Sequence, residues 1–263
     1  LSLLRVENLS VSHQKRMVVD DISFAVGEGE FVGLIGPNGA GKSTLLRAIL
    51  AQLPYQGSVT LNGQESAQLK NIRRAQILSY IAQDREISWN MRVEAVVQLG
   101  RLARLSHFSG LSLQDQQLVE EAINALEIGH LRDKPARELS GGEQARVLIA
   151  RALAQGTPLM LADEPVAGLD PSHQLSLMQI FRDLAESGRS IICTLHDLGL
   201  AARWCTRLLL VKDGGLVADG KPAEILHDEV IRDLYGVDVY RAETADGLII
   251  QPVRAQFPKL KSV

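Results

Sequence analysis

The clearest chemistry lies in Gly36-Pro37-Asn38-Gly39-Ala40-Gly41-Lys42-Ser43-Thr44. Glycines there let backbone N–H groups wrap a phosphate without Cβ clashes. The spacing from Gly36 to Gly41-Lys42-Ser43 supplies a lysine for β and γ phosphates and a hydroxyl for Mg2+. An apolar strand, "EFVGLIG", comes before this loop, and a helix, "KSTLLRAILAQL", comes after it. A second group, Asp163-Glu164, ends the apolar run "PLMLA". Ligands of open α/β sheets bind at the carboxyl ends of strands, so Asp163 is placed to hold the metal, directly or through water. Glu164 stands where the chain turns at Pro165 and can polarise an attacking water.

Two further side chains end apolar strands. Gln83 closes "LSYIAQ", where its amide could touch Mg2+ or the water and sense movement of the helical insertion that begins there. His196 comes just after "SIICTL", within reach of a γ-phosphate. A lone Gln or His is more often a packed or surface residue, and these two gain meaning only within the ordered set. Ser140-Gly141-Gly142 opens the amphipathic stretch "GEQARVLIARALA". Free N–H groups at a helix start make a second anion site, although the catalytic-looking residues accompany only the first.

The elements needed to position these groups have an α/β rhythm. "LLRVENLSVS", "MVVDDISFAV" and "EFVGLIG" read as strands of an antiparallel β region, and "GSVTLNG" as another short strand. "RAQILSYIAQ" closes on a strand ending near Gln83. Helical patterns then dominate in "RVEAVVQLGRLARL", "LQDQQLVEEAINALEI" and "GEQARVLIARALA", with Ser112 as a cap for the second. Beyond Pro158, buried strands alternate with helices, which predicts a parallel sheet. "RLLLVKDGGLVADG" is a hairpin around Asp213-Gly214-Gly215, and the tail gives a helix and another hairpin. The expected division is one domain over 1–263. Its core is 1–83 and 158–240, its helical insertion 84–157, and its tail 241–263.

Composition narrows the class. Apolar residues at 46% and charged residues at 22% suit a globular α/β protein of 263 residues. A net charge of −3 gives no basic footprint, so nucleic-acid binding is not expected. No apolar run approaches the about 18 residues that span a bilayer, and the start lacks the order of a signal peptide. Cys193 and Cys205 read as buried small hydrophobes in a cytosolic protein.

In order, "GPNGAGKST", Gln83, "LSGGE", "LMLADEP", "AGLD" and His196 resemble the ATP-binding cassette ATPases over roughly residues 3–240. The resemblance implies a P-loop NTPase (RecA-like) core with a mixed β-sheet. It also implies an N-terminal antiparallel β subdomain and an inserted α-helical subdomain. It implies ATP and Mg2+ as ligands. Residues 36–44 match the phosphate-binding loop, Gln83 the Mg2+-contacting glutamine, and Ser140, Gly141, Gly142 and Glu143 the signature. Asp163 matches the metal-binding aspartate, together with Ser43, and Glu164 the catalytic carboxylate. Asp170 matches the loop that communicates across the dimer, and His196 the histidine at the γ-phosphate.

Two positions depart from the family pattern. His13 stands where an aromatic residue usually stacks on adenine, and Glu143 where Gln is commoner. The resemblance further implies a head-to-tail homodimer, each ATP held between one subunit's phosphate loop and the other's signature. With one set of motifs and no membrane span, the expectation is a separate subunit at the cytoplasmic face of the cell inner membrane. It would work with permease subunits, two in number, and indirectly with a solute-binding protein. "VEAVVQLGRLARLSHF", "ADEPVAGLDPSHQ", "HDLGLAARWC" and "LYGVDV" are similar to importers of metal chelates. The permease contact is expected near 84–105. The alternative is a soluble cassette ATPase without a permease, such as one serving iron–sulfur cluster assembly.

Overall fold

The structure, a computed structural model, describes residues 2–14, 16–84, 87, 90–105, 110–244 and 247–255. Among these residues the strands are β1 (Leu4–His13), β2 (Arg16–Val26), β3 (Phe31–Ile35), β4 (Gln56–Leu61), β5 (Gln64–Glu65), β6 (Leu78–Ile81), β7 (Leu159–Ala162), β8 (Ser190–Thr194), β9 (Arg207–Lys212), β10 (Gly215–Gly220), β11 (Val237–Thr244) and β12 (Gly247–Ala255). The α-helices are α1 (Lys42–Ile49), α2 (Asn71–Ile77), α3 (Val93–Gln98), α4 (Leu113–Ala125), α5 (Gly141–Ala154), α6 (Pro171–Glu186), α7 (Leu198–Trp204), α8 (Pro222–Ile225) and α9 (Asp228–Tyr235).

A larger sheet has the order β10-β9-β3-β8-β7-β6, and a smaller antiparallel one β2-β1-β4-β5. In the larger sheet β6, β7, β8, β3 and β9 pair in parallel, and β10 returns antiparallel through the hairpin at Asp213 and Gly214. Both turn residues have positive φ, 48° and 86°, which suits the twist of a two-residue hairpin.

The parallel strands are apolar throughout because both faces are covered. Phe31 and Ile35 of β3 face one core, while Val32 and Leu34 face the other. Met160 and Ala162 of β7, and Ile191 and Cys193 of β8, share the first core with α3, α4, α5 and α6. Leu159, Leu161 and Ile192 share the second with α1 and the small sheet. Phe31 meets Phe181 edge-to-face at 5.8 Å, which ties α6 to the centre of the sheet. Cys193 and Cys205 are free and buried.

Three sequence expectations need correction. Phe31–Ile35 is not part of the antiparallel region; it pairs in parallel with β8 and β9. Its unbroken burial, against the half-exposed pattern of β1, is the physical reason. Helix α2 precedes β6 in a segment read only as an approach to a strand. The run "RVEAVVQLGRLARL" is α-helical only to Gln98 and tightens to 3-10 over Leu99–Arg104.

In that 3-10 turn Arg101, 4% exposed, points inward. Its Nε donates to Asp115 Oδ1 at 2.8 Å, and its Nη1 to the carbonyls of Ala154 and Gln155 at 2.8 Å each. Two carbonyls at the end of α5, those of Ala154 and its C-cap Gln155, are thereby satisfied. Ser112 caps α4, its hydroxyl accepting from Asp115 N–H at 3.1 Å. The β11–β12 hairpin packs on α7, with Leu248 and Ile250 joining the first core. Among the described residues no helix is long and apolar enough to cross a membrane.

Candidate active site

The loop between β3 and α1 forms one wall of a cleft of about 260 Å³. Asn38, Gly39, Ala40, Gly41, Lys42, Ser43 and Thr44 line it, together with Val18, Gln83 and Glu164. Helix α1 follows its N-cap Gly41, whose φ is 99°, without a side-chain cap and without an acidic residue in its first turn. Its first N–H groups and the positive end of its dipole are therefore free for an anion. Lys42 is 6% exposed, and its Nζ donates to the carbonyls of Gly36 at 2.7 Å and Pro37 at 3.1 Å. Burial lowers the pKa of this ammonium, against the pull of Glu164 and Asp163.

Strand β7 ends beside β8, and their register brings the acidic pair against Thr194. Asp163 is fully buried. Its Oδ1 accepts from Ser43 Oγ at 3.0 Å and from Thr194 Oγ1 at 2.9 Å. Tyr80 OH lies farther from Oδ2, at 3.5 Å, and burial followed by the Asp163 charge pushes its pKa up. Glu164 has φ of 49°, in the left-handed region. Its N–H donates to Thr194 Oγ1 at 2.7 Å, and its Oε1 lies 2.6 Å from His196 Nε2. The cleft thus combines an anion cradle, a buried carboxylate, and a second carboxylate paired with an imidazole.

The donor set suits a hard divalent cation. Ser43 and Asp163 offer oxygen, and Gln83 lines the same cleft. Among the described residues no group of three His, Cys, Asp or Glu side chains could hold a metal. One carboxylate with a hydroxyl is the arrangement by which Mg2+ is held when phosphates complete its shell.

Other sequence candidates lie outside the cleft lining. His13 is exposed at the end of β1, paired with Arg16, and Val18 of β2 lines the cleft. Ser140 is the N-cap of α5 and forms a capping box with Glu143. Its N–H and Oγ donate to Glu143 Oε2 at 2.8 and 2.7 Å, and Glu143 N–H donates back to Ser140 Oγ at 3.4 Å. The Ser140 hydroxyl holds the Glu143 carboxyl below its usual range. A Cβ on Gly142 would stand 3.8 Å from Gly168 O, so the signature adjoins the loop that leads to Asp170. Asp170 caps α6, accepting from His173 N–H at 3.0 Å, and that bond chiefly lowers its pKa.

Sequence reasoning missed Thr194 and Val18. A hydroxyl at the last position of the apolar run "SIICT", two residues before His196, was the available signal for the first. Val18 lies in a half-buried strand and carried none. The capping box was legible as Ser140-x-x-Glu143 before a helix.

The family described as ABC transporter matches residues 19–167. The chain belongs to this family. It is 42% identical to the hemin import ATP-binding protein HmuV of Pseudomonas aeruginosa, over 90% of this chain and 94% of that protein. It is 37% identical to the cobalamin import ATP-binding protein BtuD of Halobacterium salinarum, over 90% of this chain and 59% of that protein. Among solved structures, a chain from a transporter assigned to the metal-chelate type, in an inward-facing conformation, aligns with a TM-score of 0.81. It is 25% identical, over 96% of this chain and 97% of that one. A dimeric bacterial ABC transporter cassette aligns with a TM-score of 0.76 and 26% identity, over 83% of this chain and 98% of that one.

Proposed function

We propose that this chain is the ATP-hydrolysing subunit of an importer for a metal chelate, of the hemin or cobalamin kind. The observation that carries the reading is the meeting, at one phosphate-sized cradle, of the Ser43–Asp163 contact with the Glu164–His196 pair. The names and coverage of the relatives favour an importer over the soluble iron–sulfur alternative.

In this reading the α1 N-terminus and Lys42 bind the β and γ phosphates of ATP. Ser43, Asp163 and Gln83 hold Mg2+, which neutralises charge on the phosphates. Glu164 orients and polarises the attacking water, and His196 fixes the Glu164 carboxylate and meets the γ-phosphate. His13, at the tip of the hairpin whose second strand carries Val18, stacks on adenine. Ser140, Gly141, Gly142 and Glu143 serve the ATP of the other subunit in a head-to-tail homodimer, and Asp170 links the two sites. Residues 1–83 and 158–240 act as the nucleotide-binding core, 84–157 as the helical arm, and 241–263 as a tail.

The subunit would sit at the cytoplasmic face of the inner membrane, coupled to two permease subunits and through them to a solute-binding protein. The permease contact near 84–105 then uses the outer side of the arm. Val93, Val96 and Val97 are interior, whereas Leu102 is 58% exposed.

Glu164→Gln tests the reading. The variant should bind ATP as the native chain does and lose turnover by about 100-fold or more, because only the water-polarising group is removed. Steady-state hydrolysis near the native rate would remove Glu164 from this role.

A further inference from the structure

The hydroxyl of Thr194 touches both acidic positions at once. It donates to Asp163 Oδ1 at 2.9 Å and accepts the Glu164 N–H at 2.7 Å. A threonine hydroxyl has one proton and two lone pairs, so this geometry uses its donor and one acceptor site. Thr194 is fully buried at the end of β8, where water has no access to replace it.

Glu164 needs such a partner. Its φ of 49° is a conformation that a Cβ disfavours, and it persists only where the surroundings over-determine it. The peptide ahead of Glu164 is held by Asp163 N–H on Ile81 O at 2.9 Å, and the next N–H by Thr194. With its backbone held at both N–H groups, the Glu164 carboxylate reaches His196 at 2.6 Å. The same hydroxyl fixes one oxygen of Asp163 beside Ser43.

We infer that Thr194 is a positioning residue for hydrolysis: its hydroxyl sets the Glu164 backbone and the Asp163 carboxylate in one register. It acts through those two residues. This rests on the proposed role of Glu164.

The test compares Thr194→Val, which keeps the shape and loses the hydroxyl, with Thr194→Ser, which keeps the hydroxyl. Thr194→Val should lower kcat by about tenfold or more, with the KM for ATP within about twofold of native. Thr194→Ser should restore kcat to within about threefold of native, on the same reasoning about one buried hydrogen bond. Amide hydrogen exchange in nucleotide-free, metal-free protein gives a readout apart from turnover. A peptide containing Glu164 should exchange faster in the valine variant than in the serine variant or native chain. Melting temperatures identify any variant that does not fold, and Thr194→Ala is then read in place of valine.

Native kcat in the valine variant would overturn the inference, whatever its exchange. So would a serine variant no better than valine. Glu164→Gln, run alongside, separates the failures. If it keeps turnover, the role of Glu164 falls; if it stops turnover while Thr194→Val does not slow it, only the inference about Thr194 falls.

Discussion

Two helices of this chain begin at glycine-rich loops, and their first turns are completed in opposite ways. Helix α1 has no side-chain cap and no acid in its first turn. Helix α5 is closed by its own Ser140 and Glu143. Crowding differs as well. A Cβ at Gly36 would lie 2.0 Å from Val211 O, and one at Gly41 2.5 Å from Val18 O, whereas Gly141 has nothing within 4 Å. The first loop is moulded by the body of its own chain and leaves the opening N–H groups of α1 without a side-chain cap. The second carries a Ser140–Glu143 capping box that takes up the Glu143 N–H, and a Cβ at Gly141 would meet nothing within 4 Å. Glycine is thus required for fit at Gly36 and Gly41, whereas a Cβ at Gly141 would clash with nothing.

The comparison can be broken most severely by adding one methyl group at each loop. Gly36→Ala should destabilise the fold by about 3 kcal/mol through overpacking against backbone and abolish nucleotide binding. Gly141→Ala should leave thermal denaturation and nucleotide binding by the isolated subunit unchanged. Equal losses in the two variants would erase the distinction. A mixing experiment probes the same contrast at the level of activity. Ser140→Arg and Lys42→Met should each be nearly inactive, while a mixture should hydrolyse ATP faster than either, since a mixed dimer holds one intact composite site. A mixture no more active than its components would argue against shared sites.

Smaller effects sharpen the self-capping of α5. Ser140→Ala should cost about 1 kcal/mol in urea unfolding, the usual worth of an N-cap. Its pH dependence has a definite sign. The folded pKa of Glu143 is lowered from 4.5, so its contribution is fully present above 4.5 and is lost as pH falls through the lowered value. The stability gap between native chain and Ser140→Ala should therefore narrow on acidification below about 4.5. A constant gap down to the acid transition would separate Glu143 from the cap.

Local signals made much of this molecule legible. Residues 36–44 declare themselves by spacing and by the strand and helix on either side. Ser112 marks the start of α4 through short-range bonding. Pairing between strands distant in sequence was harder. β3 sits between β8 and β9, more than 150 residues away, and only its continuous apolarity hinted at this. Thr194 stayed hidden for the same reason, since its partner Asp163 lies 31 residues earlier and meets it only through sheet register. The apolar stripe of Val93, Val96 and Val97 had the right period for either an interior or a docking face; the structure buries it.

The left-handed backbone at Glu164 has a consequence for how this protein could be altered. A residue with a Cβ held at positive φ gives up about 1 kcal/mol that glycine there would recover. Directed selection for heat resistance alone would therefore tend to accept glycine at this position and discard the carboxylate. The native chain keeps a conformation less stable than its fold permits, at the residue beside the imidazole. A screen that scores survival without scoring turnover would drift toward a sturdier molecule that no longer works.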